Sequence, residues 1–182
     1  MACPSGYNDT MLSYKNENDR CYGATGMAIG LVVFDGEDML AGVSLDAPAH
    51  AMMDMAQDFF FAGNPSLSAK AAWTRMVRNF NLMAAMMISN VMCRRIVLEE
   101  SMIDSEMREF LRSTILREAA DNCSLEDDEA NRLFEKDYNF LHKVFNHRGV
   151  QDVAHDFARK LSQARSFTRA EMLEELRGLS SL

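Results

Sequence analysis

The alternation of hydrophobic and polar positions changes character at Ser66. From there to Glu100 the chain reads SLSAKAAWTRMVRNFNLMAAMMISNVMCRRIVLEE, with no Gly or Pro, and the 15 residues between Arg78 and Arg94 carry no charge. Folded at 3.6 residues per turn, this stretch is apolar on two opposite sides. One row is Leu67, Ala71, Thr74, Val77, Ala84, Ile88 and Val91; the other is Trp73, Met76, Phe80, Met83 and Met87. A helix that is apolar all round is buried in a bundle or in a membrane. An uncharged core of 15 residues falls short of the roughly 20 a span requires, so burial within the protein is the expectation and a membrane partner is not. Thirty-five helical residues reach about 52 Å, against a radius of gyration of about 16 Å for a compact chain of this length. The helix therefore has to bend, break or protrude, and Arg94–Glu100, where four charges arrive together, is the expected break.

The flanking segments follow the same logic. Residues 1–25 are polar and turn-rich and read as an irregular N-terminal arm, separate from a single helical domain over 26–182. Within that domain residues 26–45 read as a β-hairpin. Apolar and β-branched runs from Met27 to Phe34 and Met39 to Leu45 flank Asp35-Gly36, a pair suited to positive φ. A hairpin alone is marginal in water, so it needs helices or another strand to lie on. Asp46 as cap and Pro48 in a first turn predict a helix ending at Gly63-Asn64-Pro65, with Ala49, Met52, Met53, Ala56, Phe59 and Phe60 inward. After the central helix, Ser101 or Asp104 starts another, with Ile103, Met107, Phe110, Leu111, Thr114 and Ile115 inward. Ser124 with the acids of LEDDE opens the next, buried through Ala130, Leu133, Phe134, Tyr138, Leu141 and Phe145 and broken at Gly149. A shorter helix carries Val150, Val153, Ala154, Phe157 and Leu161. Thr168 with Glu171 forms a capping box for the last, which stops at Gly178. The predicted architecture is mainly α (α+β): a bundle of five to seven helices around a long central helix, with an N-terminal β-hairpin.

Charge sharpens the picture. Residues 1–63 hold nine acids and two bases, whereas the remainder is nearly balanced, and the whole chain carries −8. Such a balance disfavours sequence-independent binding to nucleic acid. The four cysteines, Cys3, Cys21, Cys93 and Cys123, show no CxxC spacing and suit reduced thiols, and the N-terminus shows neither a basic region nor an apolar run. A cytoplasmic location is the expectation.

Candidate chemistry is thin. Gly23, Gly26 and Gly30 give GxxGxxxG, the wrong spacing for a dinucleotide loop and in the wrong place, since polar residues precede it. Asp35, Glu37 and Asp38 cluster carboxylates without the alternating ligands of a calcium loop. His142 and His155, with nearby carboxylates, are the candidates for a small helical metal protein or enzyme, although Asp152 and His155 share an outward face. Cys93 precedes Arg94 and Arg95, yet its helical neighbours Ser89 and Val97 supply no base. Residues 150–179 resemble a helix-turn-helix in outline, but the second helix carries three acids that phosphates would repel. The remaining signal is surface apolarity. Phe61 falls on the polar side of its predicted helix. Phe140 falls within a basic outer stripe of Arg132, Lys136 and Lys143. Exposed aromatics among cations suit a protein contact. The function expected is that of a non-enzymatic interaction or assembly protein, without cofactor or metal, associating with itself or with another protein.

Overall fold

A computed structural model describes residues 13–56 and 68–181. Six α-helices and a three-stranded antiparallel sheet make up its regular structure: α1 Glu17–Val33, β1 Leu40–Ser44, β2 Met53–Met55, α2 Ala69–Met92, α3 Ser105–Cys123, α4 Asp127–Asn146, α5 Arg148–Ala164, β3 Ser166–Thr168 and α6 Arg169–Glu175. The mainly α bundle expected from the hydrophobic pattern is therefore present, organised on α2.

Helix α2 starts where Ser68 caps it, the serine side chain accepting from the Ala71 N–H. It loses α-helical pitch at Cys93. Cys93–Leu98 forms a π-helical turn, and the chain leaves it at Glu100, with φ 48°. The expected break thus falls within Arg94–Glu100. Lys70–Leu98 is long and apolar enough to cross a membrane, but 67% of its most apolar stretch is buried inside the fold. Burial is uneven: Phe80, Leu82, Ala84, Ala85, Ile88, Val91 and Met92 are buried, whereas Trp73 at the front of the helix is 45% exposed. The expectation of shielding on both rows holds only from about Asn79 onward, because the front turns extend past the helices that cover the rest.

Three helices, α1, α3 and α4, pack on the buried half, and α5 packs behind α1. Helix α1 lies antiparallel to α2, with Gly23 beside Asn90 at one end and Gly36 beside Leu82 at the other. Helix α4 runs parallel to α2: Thr74 and Asn81 share a groove with Arg132 and Asp137, while Ile96 shares a cleft with Asn146 further along both helices. Helix α3 returns antiparallel along α4, tied by Arg108 to Glu135 and by Arg112 to Asn131. Helix α5 backs onto α1, where the Cys21 thiol donates to the Ala158 carbonyl.

The N-terminal third departs from the sequence reading. Residues 17–33, divided there between an irregular arm and a first strand, form the single helix α1. Asn16 caps it by accepting from the Asp19 N–H, and Glu17 and Asp19 occupy the first turn, where the helix dipole favours acids. Glycines and β-branched residues argue locally against a helix. Here Gly26 is required by close packing: a Cβ there would lie 2.3 Å from the Ser89 carbonyl oxygen. Burial against α2 thus overrides local propensity. Asp35-Gly36 does introduce positive φ (Asp35, 52°), but as the stop of α1, with the Gly36 N–H bonded to the Leu31 carbonyl.

The second predicted strand survives as β1, and its hairpin partner is β2, which follows it, rather than residues 27–34. Register pairs Leu40 with Met55 and Val43 with Met53. β3 pairs on the other edge, with Val43 opposite Phe167. The α-helix expected from Asp46 is reduced over 46–56 to a 3-10 turn at Ala49–Ala51, since the ladder takes the flanking backbone groups: the Ser44 N–H bonds the Met52 carbonyl and the Ala56 N–H bonds the Met39 carbonyl. Phe59, Phe60 and Phe61 lie outside the described residues. Two boundaries shift elsewhere. Ser124 ends α3 in the left-handed region (φ 48°), leaving Glu126 to cap α4. Gly149 sits inside α5, the break falling at His147.

Candidate functional site

Two polar constructions stand out within the bundle, and their chemistry differs. The first is the Asp19–Arg94 pair between α1 and the π-helical turn. Arg94 donates from Nε and Nη2 to both oxygens of Asp19 at 2.6 Å and again to the Ser13 carbonyl at 2.8 Å. Its guanidinium lies 4.8 Å from the centre of the Tyr14 ring, whose hydroxyl accepts from Asn90 at 2.8 Å. Both charged side chains are buried. Burial pushes the Asp19 pKa up, but the hydrogen bonds from Arg94 and from the Lys15 N–H outweigh it and hold the carboxyl below its ordinary value. Outside it lies a cavity of about 300 Å³ bordered by Lys15, Arg95, Glu99 and Asp104. Glu99 is paired with both Lys15 and Arg95, and Asp104 caps α3 by accepting from the Met107 N–H. Every one of these charges is engaged within the fold, so the arrangement is a clamp that ties the N-terminal segment to α2.

The second is a groove of about 460 Å³ between the exposed front of α2 and the first half of α4. Val77, Arg78 and Asn81 line one wall and Arg132, Leu133 and Lys136 the other, over Asp137. Asp137 is 1% exposed, and its Oδ2 has no hydrogen-bond partner among the described residues. Burial raises its carboxyl to about 7, against a small opposing pull from Lys136. It sits there because it occupies the apolar row of α4: Ala130, Phe134, Asp137 and Leu141 fall at i, i+4, i+7 and i+11, on one face. Arg78 is bound to Asp38. Arg132 and Lys136 are exposed and form no ion pair among the described residues.

The residues expected to make a contact surface fall on and beside this groove. Arg132 and Lys136 line it, Phe140 stands one turn further along α4, and Lys143 follows. Phe140 is 44% exposed, one side of its ring meeting Phe34 edge-on at 5.4 Å. The fifth, Phe61, lies outside the described residues. Two exposed apolar residues were not anticipated. Trp73 stands at the front of α2, and Met102, 88% exposed, lies in the link from the π-helical turn to α3. Asp137 was missed too, although a charge within the apolar row of α4 is the signal that finds it.

The other candidates are separated from one another. His142 stacks on Tyr138, while His155 meets the Tyr22 hydroxyl through Nδ1 at 2.7 Å from a different helix. No group of three or more His, Cys, Asp or Glu converges among the described residues. Cys93 is fully buried, and that burial raises its thiol, away from a reactive thiolate; Arg94 and Arg95 serve Asp19 and Glu99 instead. The outline of a helix-turn-helix dissolves, because β3 between α5 and α6 is bound into the sheet and Met172 of the seven-residue α6 is buried. Gly23, Gly26 and Gly30 face α2 rather than a phosphate. No protein-family model matches the chain, nor does any curated protein or any solved structure.

Proposed function

We propose that the protein is a non-enzymatic, cytoplasmic interaction protein that self-associates through the outer face of α4 and the front of α2. The observation that carries this reading is the pairing of Trp73 and Phe140, large aromatics 45% and 44% exposed, on the two helices that border one groove. Aromatic and arginine side chains are the residue types that anchor protein interfaces. Charge supports the same reading. Arg132, Lys136 and Lys143 are exposed cations beside Phe140, while residues 1–63 of the same chain carry an excess of seven acids. A second copy would supply the complementary sign to a stripe that has no ion-pair partner among the described residues.

Sedimentation equilibrium of the full chain at tens of micromolar tests it. A dimer or larger species is expected for the wild type, converted toward monomer by Phe140→Ser combined with Lys143→Glu, with the helical circular dichroism unchanged. A strict monomer across that range overturns the self-association.

A further inference from the structure

The α2–α4 groove combines features that a flat contact face does not need: concavity and, among the described residues, an unsatisfied buried carboxyl and two rim cations, Arg132 and Lys136, without an ion-pair partner. It is an open groove of about 460 Å³, in which a bound ligand stays partly exposed. We propose that this groove binds a small amphiphilic organic anion, its carboxylate held by Arg132 and Lys136 and its apolar body lying along Val77 and Leu133. The site shares Arg132 and Lys136 with the contact surface proposed above, but its argument rests on the groove and Asp137 rather than on self-association.

Charge complementarity selects the class. Arg132 and Lys136 have no acid partner among the described residues, and the third rim cation, Arg78, is shared with Asp38. A cationic ligand would meet three positive groups at the mouth. A neutral one would leave the rim charges unanswered. The walls between Val77 and Leu133 accept a short hydrocarbon body, and Asn81 offers a polar contact.

Asp137 makes the site sensitive to protons. Lys136 and Arg132 flank it from its own helix and Arg78 from α2. On α3, Arg108 and Arg112 are turned to Glu135 and to Glu109 with Asn131, the residue after α1, Phe34, lies against Phe140, and α5 begins beyond at Arg148. A neutral Asp137 leaves the rim cationic; an ionised one competes with the ligand for the same cations.

Octanoate is the probe, titrated calorimetrically into the full chain at pH 6 and pH 8, with octanol and octylamine as the neutral and cationic counterparts. Octanoate is expected to bind one site at pH 6, at least tenfold more tightly than either counterpart. It should weaken by about tenfold at pH 8, as Asp137 passes from mostly protonated to mostly ionised. Asp137→Asn should hold the affinity level across that range, and Arg132→Glu with Lys136→Glu should lower it tenfold or more at pH 6. Should charge reversal unfold the protein, Arg132→Gln with Lys136→Gln gives the same comparison. Absence of octanoate binding at pH 6, equal binding of octanol, undiminished binding by the charge variants, or a wild-type affinity that does not change with pH would overturn the proposal. Sedimentation of the same samples reports the self-association separately.

Discussion

Two buried acids respond to pH in opposite senses, and the difference lies in their partners. Asp19 is held by Arg94, so its charged form is stabilised in the fold and its carboxyl is depressed. Its contribution is present above the unfolded pKa and fades as the pH falls through the folded one. Asp137 has no counterpart for Oδ2, so burial favours its neutral form, from an ordinary 3.8 to about 7. Between those values the folded chain holds a proton that the unfolded chain has released, and stability falls as the pH rises across that window. The full effect is on the order of 4 kcal/mol. Asp137→Asn is expected to be more stable than the wild type at pH 8 and to lose this slope, as measured by urea unfolding at pH 4.5, 6 and 8; parallel curves for the two proteins would show that Asp137 titrates normally. Removing Arg94 has the reverse character. Arg94→Met leaves Asp19 as an unpaired buried charge, at a cost of about 3–5 kcal/mol at pH 7. Asp19→Leu in the same chain should restore part of that loss, which a double-mutant cycle measures directly.

Helix α1 shows where reading by element succeeds and where it fails. The helices from α2 onward were legible because a 3.6-residue apolar period runs through 69–176 with few glycines to interrupt it, and because caps such as Asp104 and Thr168-Glu171 mark their starts. Residues 17–33 carry the opposite local signal, with three glycines and a run of Ile, Leu and Val that reads as strand. What makes them helical is not local: Gly26 and Gly30 admit the α2 backbone and Ser89 to distances that no Cβ tolerates, and a single sequence does not print the partner of a glycine face. The groove was half legible for a similar reason. The basic stripe of α4 follows from its wheel, whereas the exposed front of α2 depends on how far the covering helices extend. Gly26→Ala tests the close approach. The obstacle is a backbone carbonyl, which cannot rotate aside, so the variant should lose roughly 2–3 kcal/mol despite the better helix propensity of alanine. Thermal unfolding checks it; a neutral or stabilised variant would mean that α1 and α2 lie further apart.

At the scale of the whole molecule the bundle is graded along α2. Its buried half is enclosed by α1, α3, α4 and the π-helical turn, and the clamp at Arg94 fastens that end to the chain before α1. Its front turns carry Trp73 at the surface and border the groove. Amide protons in such a helix exchange by two routes, global unfolding where the helix is enclosed and local opening where it is not. Hydrogen exchange of the dilute protein should therefore show strong protection over Phe80–Met92 and markedly weaker protection over Ala72–Arg78, although all belong to one continuous helix. Self-association through this face adds a second expectation, because residues covered by another copy lose their local opening. Raising the concentration from one to a hundred micromolar should slow exchange over Ala72–Arg78 and over the α4 turn around Phe140, and leave Phe80–Met92 unchanged. Uniform protection along α2 in the dilute protein would mean that the front is already covered by the chain itself, and protection that never depends on concentration would remove α2 and α4 from any contact between copies.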